Sequence, residues 1–174
     1  MSTDKGAIVG TLILERHDKD GNLIERFEGH NLVTQVGDQM YGERGAGIAG
    51  AVAAPTGMKL GTGANSGGNA PAKTGAGAAL TTYLAGSNKA FDATYPQSAL
   101  NGSSRRITYR RTYAAGEATT ASPITEAVIV NETISNDDTS TAAETISRIA
   151  VSGISAKGAT DTLTATWNHD LLGA

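Results

Sequence analysis

The side chains that could do chemistry in this sequence are three histidines, a set of scattered acids and one arginine cluster. His17, His30 and His169 have no His, Asp or Glu partner at i+3 or i+4 on a helix, so each reads as a surface histidine. Asp18, Asp20 and Asn22 match the opening of a calcium loop. An EF-hand also needs a third acidic ligand before its glycine, a distant Glu and flanking helices, and strands flank this segment instead. Residues 67–74 (GGNAPAKT) approach the spacing of a phosphate-binding loop. Ala72 stands where that motif has its second glycine, and Pro71 removes an amide that would face the phosphate. Ser103, Ser104 and Ser122 lie in no G-x-S-x-G elbow. Glu117, Glu126, Glu132 and Glu144 fall near strand ends with no spacing that argues a catalytic pair. The sequence therefore assigns no catalytic, cofactor or metal site, and reads as a non-enzyme.

Arg105, Arg106, Arg110 and Arg111 form the one basic cluster. Arginines alternating along a strand mark a solvated or interface face, so Arg106 and Arg110 are expected to meet carboxylates such as Glu126 or Glu144 of the same or a neighbouring copy. A nucleic-acid binder needs a basic surface, but acids outnumber bases here and the net charge is −3. With no cysteine there is no disulfide and no thiolate chemistry. The N-terminal MSTDKGAIVG has no apolar core after a basic start, so it does not read as a signal peptide, and no apolar run reaches membrane-span length. Synthesis in a cytoplasm is the expectation.

These residues must be positioned by strands. Hydrophobic residues are 39% and charged residues 18% of the 174, with 22 glycines, a composition leaning towards β-structure with generous loops. Four candidate strands run from 105 to 169: RRITYRRTY, ITEAVIVNETI, ETISRIAVSGIS and DTLTATWNH. In the first, Ile107, Tyr109 and Tyr113 share one parity, and Arg106, Thr108, Arg110 and Thr112 the other. In the last, Leu163, Ala165 and Trp167 alternate with threonines. Alternation buries one face and wets the other, and the short breaks at 114–116, 136–138 and 156–158 favour antiparallel pairing. Residues 7–30 read as a hairpin about the Asp-Gly turn.

Residues 31–45 change period and read as a short helix, capped by Asn31 or Thr34 and ended by Gly45, with Val36 and Met40 on the sheet side. MKLGTG is a strand entering a glycine turn. The region 64–104 reads as a long loop: 64–77 is rich in Gly and Ala and is expected to be mobile until a neighbour covers it. Residues 78–86 suggest one or two helical turns with Leu80, Tyr83 and Leu84 inward, and Phe91 and Tyr95 anchor the loop up to Pro96. Asp161 is expected to order the 157–160 turn. The expected architecture is mainly β: one domain over 1–174, an antiparallel β-sandwich with one or two short helices and Trp167 in its core.

The succession HNLVTQVGDQM, MKLGTG, SRRITYRRTYAAGEATT, ITEAVIV and ISRIAVSGISAKGATDTLTATW resembles a family of tailed-bacteriophage virion structural proteins, known as tail, neck or head-associated proteins. The closing K-G-A-T-D-T-L-T-x-T-W strand is the most specific part, and the match spans most of the chain from about residue 31. The stretch 64–101 is longer than the family's link at that point. The resemblance implies a symmetric assembly subunit located in the virion and made in the host bacterial cytoplasm, with copies of itself and other virion proteins as partners and no nucleic acid, membrane or cofactor. A second reading is a receptor- or glycan-binding module of a tail or fibre, with Tyr83, Phe91 and Tyr95 as stacking platforms.

Overall fold

The computed structural model describes residues 8–135 and 139–171. The expected turn at 136–138 lies outside them. An N-terminal hairpin of β1 (Ile8–His17) and β2 (Leu23–Val33) is closed by Asp18, whose Oδ1 accepts from the backbone amides of Asp20 and Asn22, both at 2.9 Å. The carboxylate thus orders the hairpin turn from within. After helix α1 (Gln35–Gly45) come β3 (Gly57–Gly61), β4 (Lys89–Ala90), β5 (Gln97–Asn101), β6 (Ser104–Tyr113), β7 (Ile124–Val130), β8 (Thr145–Ile154) and β9 (Thr162–Leu171).

All neighbours pair antiparallel, in the order β4-β3-β7-β8-β2-β1-β9-β6-β5. The result is one nine-stranded sheet curled into a half-barrel, mainly β as expected. The four C-terminal strands do not lie side by side: β6 sits against β9, and β9 against β1. The bend is at β2, which pairs with β1 along its length but with β8 only at Leu32↔Arg148 and Val33↔Ser147. Each half contributes one apolar face to a shared core. Leu12, Leu14, Tyr109, Tyr113, Leu163 and Trp167 come from one half, and Met58, Leu60, Ile124, Ile129, Ile146 and Ile149 from the other. The parity read from β6 and β9 is the one observed, and Trp167 is fully buried.

The helix starts at Gln35, four residues later than the sequence reading, because Asn31, Leu32 and Val33 belong to β2. Leu32 and Val33 are held by pairing to β8, and a paired strand outweighs the helical spacing of Val33, Val36 and Met40. Thr34 is the cap: its Oγ1 accepts from Gly37 N at 3.1 Å and donates to Thr145 O at 2.5 Å. Gly37 lies so close to the β8 backbone that a Cβ there would come 2.2 Å from Ile146 O, so this helical glycine sets the approach of helix to sheet. Met40 is buried, with Val36 and Tyr41 packed beside it.

Residues 64–104 are not one loop. They contain β4, β5 and two short 3-10 turns at Gly67–Asn69 and Gly75–Ala78. In place of helical turns, 82–84 runs extended beside the end of β3, with Thr62 N bonded to Thr82 O at 3.0 Å and Leu84 N to Leu60 O at 2.9 Å. These backbone partners at and just past the end of β3 outcompete local helix formation, while Leu80 and Leu84 still point inward as expected. The 64–77 segment is tied to the body: Lys73 O accepts from Gln35 N at 2.9 Å, Lys73 pairs with Asp38, and Asn65 Nδ2 reaches Thr125 O at 2.7 Å.

Candidate functional site

The glycine turn after β3, the I-T-E-A strand β7 and the I-S-R-I strand β8 meet at one buried ion pair. Glu126 and Arg148, both fully buried, are 2.6 Å apart. Glu126 also accepts from the backbone amides of Gly63, Thr81 and Thr82, at 2.9, 2.8 and 3.2 Å. A Cβ on Gly63 would fall 2.4 Å from Glu126 Oε1, so a glycine is required where the turn passes over the carboxylate. Arg148 reaches outward to Asn65 Oδ1 (2.8 Å) and Ala76 O (3.2 Å). Burial pulls the guanidinium's pKa below its ordinary value, and the Glu126 charge opposes this. The arrangement is a brace that fixes residues 62–82 to the sheet.

A second brace links the small-residue turn after β6 to the closing motif. Lys157 is fully buried, with Nζ donating to Ala114 O at 3.0 Å, and burial lowers its pKa. Gly116 N and Thr120 N bond to Ala159 O (2.8 Å) and Lys157 O (3.0 Å). Asp161 accepts from Gly158 N at 3.0 Å, ordering the turn as the sequence suggested, and from Arg16 at 2.7 Å. Arg16 bonds Glu25 as well at 2.9 Å, which holds the Glu25 carboxyl down to about 2. A third pair, Lys59 with Glu132, is buried under Tyr83, whose ring centroid is 5.4 Å from Nζ.

His169 is no surface residue. It is fully buried on β9, although it shares the parity of Trp167 and so stood on the core face from the outset. Asn31 Nδ2 donates to Ser147 Oγ and lies 3.1 Å from His169 Nε2, while Tyr41 Oη is 2.7 Å from His169 Nδ1 and 2.8 Å from Tyr109 Oη. Ser147 donates to Leu32 O, so its oxygen is free to accept from Asn31. These contacts fit an arrangement in which Nε2 accepts from Asn31 and Nδ1–H donates to Tyr41, which donates to Tyr109, with Asn31 Oδ1 left without a partner among the described residues. Both ring nitrogens are thereby engaged inside the protein. A cleft of about 590 Å³ adjoins this network, lined by Asn31 and Tyr41 and by the paired Asp38 and Lys73.

Burial lowers the His169 pKa from 6.5 to about 4, against a small opposing pull from Asp170. Because the folded pKa lies below the unfolded one, the unfolded chain binds the proton first. Stability is full above pH 6.5 and falls as pH drops towards 4, by about 3 kcal/mol in total. The Glu25, Asp161 and Asp170 carboxyls are all lowered, so their contribution is lost as pH falls from the ordinary carboxylate values, about 4, down through their folded ones. Urea denaturation should therefore show a stability loss between pH 6.5 and 4.5 that is absent from His169→Gln. Equal pH slopes for the two proteins would refute the neutral buried imidazole.

Within the chain, the arginine cluster finds carboxylates other than Glu126 and Glu144. Arg106 forks onto Asp170 with two bonds of 2.8 Å, Arg110 Nε lies 3.5 Å from Asp92, and Arg111 bonds Glu117 at 2.6 Å. Glu126 is buried with Arg148, and Glu144 accepts from Thr141 at 2.6 Å. The cross-strand neighbour of Arg106 on β9 is Asp170, a pairing legible only once strand order is known. Of the aromatic platforms, Phe91 packs on Tyr109 at 5.1 Å, Tyr83 accepts from Asn88 N, and Tyr95 lies under Arg110. Ser104 donates to Asn101 O, while Ser103 and Ser122 are exposed.

Among the described residues no cluster of three His, Asp or Glu side chains is placed to hold a metal, and no helix is long and apolar enough to cross a membrane. Comparisons with protein-family models, with curated proteins and with solved structures found no match.

Proposed function

We propose that this chain is a structural subunit of a tailed-bacteriophage virion, decorating or joining head, neck or tail and acting through interfaces rather than through catalysis. The observation that carries this reading is where the resembling strings meet. L-G-T-G, I-T-E-A and I-S-R-I converge on Gly63, Glu126 and Arg148, and the small-residue turn meets K-G-A-T-D at Ala114, Lys157 and Asp161. Residues far apart in sequence that share a resemblance and also share contacts belong to one structural unit. In this reading the two halves of the curled sheet act as the layers of a flattened sandwich hinged at β2, and the bracing serves a particle that must keep its shape. The partners are copies of this chain and other virion proteins, and the protein is made in the host cytoplasm.

The test is the composition of particles. Tailed particles purified from the strain that encodes the chain should contain it in fixed stoichiometry by quantitative mass spectrometry, retained through a density gradient and high-salt washing. Particles that lack it would overturn the assignment.

A further inference from the structure

The two edges of the sheet differ. At one end β4 is two residues long and begins with Lys89, a short, charged edge of the kind that discourages pairing. At the other end β5, Gln97-Ser-Ala-Leu-Asn101, is exposed at every residue and, among the described residues, pairs with β6 alone. It carries no charge and no proline, and Leu100 is 76% exposed, the highest value among the exposed large hydrophobics. We propose that β5 is a self-pairing edge: two copies of this chain join their sheets antiparallel about a two-fold axis at Ala99. This deepens the assembly reading and rests on it for its role in the particle.

The register follows from the edge itself. A two-residue turn, with Gly102 at φ +61°, closes the Asn101↔Ser104 pair, so Asn101, Ala99 and Gln97 direct their backbone groups to β6. Ser98 and Leu100 then direct theirs outward. Only a two-fold about Ala99 sets Ser98 of each copy opposite Leu100 of the other, satisfying both outward pairs reciprocally. The side chains agree with this. Ala99 meets Ala99 on the axis with no bulk, and Gln97 faces Asn101, amide to amide. Ser98 pairs with Ile107 on β6, so Leu100 of the second copy would continue the Ile107 row on the concave face. That row borders an apolar groove of about 450 Å³ lined by Ile107, Tyr109, Pro96, Met40 and Leu171. A five-residue pairing buries less than the roughly 1,600 Å² of a standard stable interface, so the contact is weak in dilute solution and is reinforced by other contacts in an assembly.

The chain has no cysteine, so the register can be read by cross-linking of the purified protein. Facing residues of a non-hydrogen-bonded pair have Cα atoms about 4.5 Å apart, within disulfide range. Under mild oxidation Ala99→Cys should give a covalent dimer about tenfold or more faster than Gln97→Cys, whose thiols lie on opposite sides of the axis. A mixture of Gln97→Cys and Asn101→Cys should form the heterodimer. Adding Ser98→Pro to Ala99→Cys removes an outward amide that the fold does not use, and should abolish the cross-link while leaving the circular dichroism unchanged. The proposal is overturned if Ala99→Cys oxidises no faster than Gln97→Cys, or if the proline variant, still folded, cross-links as before. Should that variant unfold, the mixed heterodimer alone decides the register. Particle composition tests the assembly reading separately, so either can fail without the other.

Discussion

Replacing Arg148 with alanine is expected to destabilise the protein by about 3–5 kcal/mol, because it strands a buried carboxylate without its counter-charge. The loss should be local before it is global. Glu126 holds the amides of Gly63, Thr81 and Thr82, and Arg148 itself holds Asn65 and Ala76, so the whole 62–82 segment depends on this pair. Trypsin offers a direct reading. Lys73 lies in that segment, exposed but tied through its carbonyl to Gln35, so cleavage there should be slow in the native protein and fast in Arg148→Ala. This reverses the expectation, natural from glycine and alanine content alone, that the segment is mobile. If both proteins are cut at Lys73 at the same rate, the pair does not brace the segment.

Replacing Trp167 with alanine should cost a similar amount, about 3–5 kcal/mol, the usual penalty for deleting a fully buried large aromatic. For a chain of this size that corresponds to a drop in Tm of roughly 6–20 °C. Among the described residues its indole nitrogen has no hydrogen-bond partner. Trp167→Phe therefore removes an unsatisfied donor along with some volume, and should cost only about 1–2 kcal/mol. As this is the sole tryptophan, its fluorescence reports on the core directly: emission should be blue-shifted when folded and move red on unfolding. Native emission at the position of free indole would exclude the core assignment.

The strands of the hairpin and of the C-terminal half were legible in the amino-acid order alone, whereas β4 and β5 were hidden in what read as a long loop. Alternation along β6 and β9 identifies which side chains face the core, because a pleated strand has no other way to separate apolar from polar residues. Asp161 was legible as a turn former, since a short carboxylate reaches only nearby amides, and the hairpin turn was legible from Asp20-Gly21, while the part Asp18 plays in it came from the structure. The order of the strands came from tertiary packing, and with it everything that depends on who sits beside whom. Asp170 became the partner of Arg106, Asn31 left the helix for the bend of β2, and 82–84 became extended because the end of β3 offered backbone partners. His169 shows the boundary most clearly. Its parity with Trp167 was readable, but its burial depends on Tyr41 arriving from α1 and Asn31 from β2, contacts that no local pattern encodes. Glu126 and Arg148 likewise stand 22 residues apart with no spacing signal. Local sequence sets which face of an element turns inward; the low dielectric where those faces meet decides which polar groups must find one another.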